Sequence, residues 1–200
     1  MKKNDVELWD VYDKDRNMTG RLHERGKPMA TGEYHIIVHV WKYNAQGEWL
    51  IDKRAVRYGN DDIDGKWETT GGCAVAGDDS LTAALREAKE ELGIELNPQN
   101  GTLHSSMAHQ WDNGHTAFID VWIFYYNEPI EKITVEVSEV SDAMWASVDK
   151  IKEMMANGEM LEYSYFDEMV TEMARFTDMQ GYSIDEFHSN MRKAIEHGAK

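Results

Sequence analysis

Apolar and polar positions divide the chain into short alternating runs at its start and helical runs toward its end. Glu7-Leu-Trp-Asp-Val-Tyr12, polar Asp13-Lys-Asp-Arg-Asn17 and Met18-Thr-Gly20 predict a strand, a turn and a returning strand, an N-terminal β-hairpin. Beyond a loop holding Gly26, Pro28 and Gly32, Tyr34 to Tyr43 is β-rich, Asn44-Ala-Gln-Gly47 is a turn and Glu48 to Arg54 is a second strand. Together these two predict a long antiparallel pair. A polar loop from Gly59 to Gly65 leads into Trp67-Glu-Thr-Thr-Gly-Gly72. From Ser80 to Leu92 the apolar spacing is helical, and Gly93 ends it.

Downstream, Thr116 to Tyr126 is dense in β-branched and aromatic residues and predicts a buried strand, followed after Pro129 by a shorter alternating strand from Lys132 to Val137. Ser147 to Asn157, Leu161 to about Phe176, and Ser183 to His197 have helical spacing, separated by Gly158 and Gly181. Internal repeats and low-complexity tracts are absent. Strands, a helix, more strands and further helices argue for an α/β domain, a mixed sheet covered on its faces by helices.

Composition narrows the partners. With 37 acidic against 21 basic residues the formal charge is −16 over 200 residues, which repels a phosphate backbone and argues against polymeric nucleic acid. A polyanion that handles a phosphorylated small molecule needs cations between itself and the substrate. The single cysteine, Cys73, forms no intramolecular disulfide, so the cytoplasm is the expected compartment. No segment approaches the ~20 apolar residues of a membrane span. The methionines Met154, Met155, Met160, Met169 and Met173 fall at helical spacing, which predicts internal packing, with a homodimer contact through the C-terminal helices as the alternative.

Chemistry concentrates on the helix from Ser80 to Leu92. Three- and four-residue spacings return to one face, so Glu87, Glu90 and Glu91 share an arc of roughly 100°, beside an apolar stripe of Leu81, Ala84, Leu85, Ala88 and Leu92. Like charges so placed call for solvent, a cation partner or a bound metal. Arg86, four residues before Glu90, offsets one charge, and Mg²⁺ prefers carboxylate oxygens while bridging to substrate phosphates.

The wider context is more specific. From Gly72 the chain reads Gly, five residues, Asp78, seven residues, then Arg86-Glu87-Ala88-Lys89-Glu90-Glu91-Leu92-Gly93-Ile94. This resembles the signature of the Nudix superfamily, departing only at Asp78, where the family has Glu. The resemblance implies a Nudix α/β/α sandwich and metal-dependent hydrolysis of a diphosphate bond in a nucleoside diphosphate derivative or related small molecule, with Mg²⁺ or Mn²⁺ as cofactor. It implies Glu87, Glu90 and Glu91 as metal ligands, the carbonyl of Gly71 as a further candidate ligand, and Arg86 as the residue that orients them. The shorter Asp78 is expected to weaken or water-bridge the family glutamate's contact. On this reading residues 1–32 form a hairpin and loop within the same domain, 33–160 the Nudix domain and 161–200 a C-terminal helical extension.

Tyr34-His35, Trp41, Asn44-Ala-Gln-Gly47, Leu50 and Lys53-Arg54-Ala55 resemble the isopentenyl diphosphate isomerase branch of that superfamily. There His35 matches a metal-binding histidine and Arg54 a residue near the diphosphate. The isomerase's own chemistry does not carry over. Gly71-Gly72 stands where the catalytic cysteine belongs, with Cys73 off that register; Pro28 replaces a metal-binding histidine, and Ile119 falls at the catalytic glutamate with Asp120 only adjacent. An isomerase-related hydrolase is the favoured reading, with an isomerase or a non-catalytic metabolite binder as alternatives. Glu139, in a segment resembling the one that precedes the last Nudix strand, is a candidate base, with Glu136 and Glu87 as competitors. Trp111, in polar Gln110-Trp-Asp-Asn-Gly114, is the candidate for stacking on a nucleobase.

Overall fold

The computed structural model describes residues 6–57, 59 and 63–177, with backbone only for 175–177. The strands are β1 (Leu8–Tyr12), β2 (Met18–Glu24), β3 (His35–Tyr43), β4 (Trp49–Arg54), β5 (Trp67–Glu68), β6 (Thr70–Cys73), β7 (Gly101–Gln110), β8 (Thr116–Tyr125) and β9 (Val140–Ala146). The helices are α1 (Ser80–Leu92), α2 (Val148–Ala156) and α3 (Phe166–Thr177). The helix expected from Ser183 to His197 lies outside the described residues.

β1 and β2 form the expected hairpin, and the other seven strands make one mixed sheet. β3 is its centre, paired in parallel with β8 from His35 opposite Ala117 to Tyr43 opposite Tyr125. On its other side the long pair expected with β4 does not form. β3 and β4 meet only at Lys42 opposite Leu50 and Tyr43 opposite Trp49, and then diverge. β5 and β6 fill the gap, β5 pairing with β4 and β6 with β3, while β9 takes the far edge of β4. Period-two patterning shows that both are strands; it does not say which neighbour each takes.

Strand alternation puts Ile36, Val38 and Val40 on the α1 side, packed with Ala83, Ala84, Ala88 and Leu92. Trp41, Tyr43, Trp49 and Ile51 face α2 and α3 and pack with Met154, Met160, Phe166, Met169 and Met173. The methionine stripe is therefore internal packing. α2 matches the expected helix, but the segment from Leu161 to Tyr165 is irregular and α3 begins only at Phe166. That segment is spent on the sheet edge, where Leu161 N donates to Trp67 O at 2.9 Å.

Lys132 to Val137 is not a strand. Thr134 N donates to Leu92 O at 3.0 Å and Glu136 N to Glu91 O at 2.8 Å, so this segment caps carbonyls that the end of α1 leaves free. The strand of this region is β9. The hairpin β1–β2 is docked by Arg16, whose Nη1 donates to Asp120 Oδ1 at 2.8 Å. Arg16 adopts φ +64°, a left-handed conformation unusual for a non-glycine residue. No helix among the described residues is long and apolar enough to cross a membrane.

Candidate active site

α1 is fixed at both ends. Asp79 caps its start, accepting from Thr82 N at 2.7 Å, and Gly93 at φ 67° lets Gly93 N and Ile94 N turn back to Lys89 O and Ala88 O. The small residues Ala83, Ala84 and Ala88 are fully buried and bring the helix close to the sheet. The expected acidic stripe divides as a result: Glu87 and Glu91 are buried, whereas Glu90 sits at the rim. Glu87 lies against Gly72, where any Cβ would overlap its carboxylate.

Arg86 is fully engaged. Its Nε donates to Asp78 at 3.0 Å, Nη1 to Glu87 at 2.9 Å and to Glu90 at 3.0 Å, and Nη2 to the Cys73 carbonyl at 2.9 Å. The planar fork thus ties the loop after β6 to the helix. Asp78 reaches it directly, so the expected weakened or water-bridged contact is corrected. Glu87 and Glu90 meet on Arg86 Nη1, and among the described residues no group of three or more His, Cys, Asp or Glu is already gathered around a metal position. Glu87 and Glu90 turn to Arg86 because mutual repulsion favours the available cation.

Glu91 is different. Its Oε2 is buried with no hydrogen-bond partner. Burial, then the charges of Asp52, Glu87 and Glu68, hold its pKa well above the usual carboxylate range. Glu87 is likewise raised, chiefly by burial. A buried carboxylate oxygen without a hydrogen-bond partner fits a divalent cation such as Mg²⁺.

Beneath Glu91 lies a polar network that the sequence reading missed. Lys42, wholly buried, donates to Thr70 Oγ1, which donates to Asp52 at 2.7 Å. Burial lowers the Lys42 pKa to about 8. Glu68, across from Asp52, accepts from Arg54 Nη2 at 2.9 Å, and burial raises it to about 7. Alternation along β3 and β4 was the available signal: Lys42 on β3 beside Asp52 and Arg54 on β4 implies a buried polar layer.

A cavity of about 470 Å³ opens on the other face of the sheet. Arg54, Glu68, Gly71 and Gly72 line one part of it, and Ile37, His39, Met107, His109, Trp111, Ile119, Glu162, Tyr163, Ser164 and Tyr165 are among the other lining residues. Arg54, Gly71 and Trp111 thus share this cavity, which meets the helix site through Gly72. Glu139 lies outside its lining, 3.2 Å from Arg57, though its charge reaches Glu87. Glu136 is exposed, with its pKa lowered by bonds from Ser138. Cys73 also lines the cavity, but burial pushes its thiol up to about 12, which removes it as a nucleophile at neutral pH. His35 is stacked on Trp9 with centroids 4.2 Å apart, its Nε2 2.8 Å from His115 Nε2.

Residues 33–165 match the model of the NUDIX domain. An uncharacterised Nudix hydrolase of Listeria monocytogenes is 30% identical over 82% of this chain and 94% of its own. Among solved structures, a Deinococcus radiodurans protein, DR0079, aligns with a TM-score of 0.63 at 18% identity, covering 80% of this chain and 96% of its own. A bifunctional NMN adenylyltransferase/ADP ribose pyrophosphatase of Francisella tularensis, complexed with AMP and a Mn ion, aligns at 0.51 and 17% identity over 70% of this chain and 42% of its own. With its signature intact on α1 and its fold shared with these proteins, the chain belongs to the Nudix family and is a Nudix hydrolase.

Proposed function

We propose that this protein hydrolyses a phosphoanhydride bond in a nucleoside diphosphate derivative, using Mg²⁺ or Mn²⁺ held by Glu87, Glu90 and Glu91 with the Gly71 carbonyl. The observation that carries the reading is the buried, unpartnered Glu91 oxygen, on the same helix as Glu87 and close to a cavity with a cation at one end. The metal, when bound, supplies neutralisation of diphosphate charge and a water activated for attack at phosphorus. Arg86 holds Glu87 and Glu90 in register with the loop after β6. Arg54 presents a guanidinium to the diphosphate; its Nε lacks a partner, which leaves donor capacity beyond the bond to Glu68. Trp111, at the turn between β7 and β8, offers a flat face to a base.

Two carboxylates compete for the proton of the attacking water. Glu139 approaches Glu87 from its loop, and Glu68 lines the cavity with a pKa suited to a base at neutral pH. Comparing Glu68→Gln with Glu139→Gln separates them, since loss of the base removes the acidic limb of the rate profile.

The isomerase alternative loses support here. Its register position is Ile119, the adjacent Asp120 is held by Arg16, and Cys73 is a buried neutral thiol. The lone cysteine fits a reducing compartment, and we place the protein in the cytoplasm. A panel of nucleoside diphosphates, triphosphates, nucleotide sugars and dinucleotides, assayed with Mg²⁺ and Mn²⁺, tests the reading. Metal-dependent turnover abolished by Glu91→Gln is expected; absence of turnover across the panel favours a metabolite binder, and proton exchange into isopentenyl diphosphate favours the isomerase.

A further inference from the structure

A histidine that lines the cavity beside Ile37, Met107 and Ile119 is left unused by the proposed chemistry. His39, on β3 opposite Gly71, lines the cavity, and its Nδ1 lies 2.7 Å from Tyr165 Oη. Trp41 Nε1 donates to that same oxygen at 3.1 Å. An indole N–H only donates, so Tyr165 Oη accepts there. The phenol is buried, and its own proton needs an acceptor. Among the described residues, His39 Nδ1 is the acceptor the phenol meets. The relay therefore runs from Trp41 through Tyr165 to His39, and the imidazole proton sits on Nε2.

The Nε2 side of the ring lies toward Gly71, which lines the same cavity. The neighbouring ring atom Cδ2 is 3.5 Å from where a Gly71 Cβ would stand, on the strand that lines the cavity. Nε2 has no partner among the described residues, and it is not among the buried unpartnered atoms. Ile37, Met107, Ile119 and Tyr163 line the same cavity. A fixed neutral donor set among apolar side chains is how small-molecule sites select orientation.

We propose that His39 reads a hydrogen-bond acceptor on the head group of the substrate, the part beyond the diphosphate, through a tautomer fixed by Tyr165 and Trp41. The proposal rests on the hydrolase reading for placing the diphosphate at the Arg54 end. It makes His39 a specificity residue and a donor, not the base. The head group it fits is planar, with apolar faces and an acceptor on its edge, as a nucleobase is. A hydrocarbon diphosphate would leave Nε2–H unpaired and be disfavoured.

Long-range ¹H–¹⁵N correlation of the full chain labelled with ¹⁵N-histidine tests this, with His39 assigned through His39→Gln. Wild type should show the Nε2–H tautomer, and Tyr165→Phe should mix the two. AMP, GMP, CMP and UMP are added in turn with Mg²⁺, against inorganic pyrophosphate. At least one nucleotide should move the Nε2 proton downfield, and pyrophosphate should not. An Nδ1–H tautomer in wild type, the same response to pyrophosphate, or no response to any nucleotide overturns the proposal. In the kinetic arm, on the best panel substrate, Tyr165→Phe should raise KM about tenfold with kcat little changed; a fall in kcat at constant KM counts against it. Turnover on the panel reports on the hydrolase separately: a silent panel with a nucleotide response at Nε2 removes the hydrolase and keeps His39 as a binding group.

Discussion

At the scale of single residues, environment overrides residue type. His35 matches a metal-binding histidine by sequence, but in the fold it is a neutral ring between Trp9 and His115, with burial lowering its pKa from 6.5 to about 3. The unfolded chain therefore binds a proton below pH 6.5 that the folded chain refuses. The stability linked to His35 is complete above that pH and is lost as pH falls toward 3, by up to about 1.4 kcal/mol per unit. Phenylalanine keeps the stack on Trp9 without titrating. Urea unfolding of His35→Phe between pH 7 and 4.5 should show a shallower loss of stability than wild type, whereas parallel curves would mean that the ring is protonated in the folded state. Comparing the two proteins cancels the opposing contribution of the raised carboxylates Glu68 and Glu91.

At the scale of elements, the glycine pair before α1 performs two different tasks. A Cβ on Gly71 would run into the backbone oxygen of Val38, which cannot yield without opening the β3–β6 pairing, while a Cβ on Gly72 would first meet the side-chain carboxylate of Glu87, not backbone. Gly71→Ala should therefore cost about 3 kcal/mol of stability in urea unfolding. Gly72→Ala should fold nearly as wild type yet bind Mn²⁺ about 10- to 100-fold more weakly by calorimetry, the loss typical of disturbed support around a metal ligand. Equal stability losses in the two variants would contradict this division.

Elements also show how far the sequence could be read. α1 was legible because its 3.6 spacing and the Gly93 that ends it are both local. β8 was legible because burial on both faces makes a continuous apolar run. β7 escaped because Gly101 to Gln110 is mostly polar and exposed beyond its first positions, so it lacks both signals. Lys132 to Val137 alternated like a strand, but its N–H groups were taken by the end of α1. In the site, Arg86 and the glutamates followed from spacing, while Lys42, Glu68 and the Tyr165 relay to His39 depend on strands and segments far apart in the chain.

At the scale of the whole molecule, the N-terminal hairpin is joined to the central sheet by a buried charge. Asp120 is wholly buried and Arg16 is its cation, with Phe118 beneath the guanidinium at 5.2 Å. Arg16→Ala strands that carboxylate and should destabilise the protein by about 3–5 kcal/mol, more than Arg16→Ala combined with Asp120→Asn, which removes the charge as well. Thermal melts of both variants check this; a single variant no less stable than the double would show that the hairpin is not held by this pair.

The parallel pairing of β3 with β8 has a consequence for how the protein is made. β4, β5, β6, α1 and β7, with Arg54, Glu68, Arg86 and the helix glutamates, lie between these two strands in the chain, so the central seam closes only after the intervening chain has emerged. During synthesis the edge of β3 that pairs with β8 stays open until that strand emerges, a slow, long-range step during which association with another nascent chain competes. The same insertion means that the β3–β8 seam closes with α1 already on the chain between its two strands.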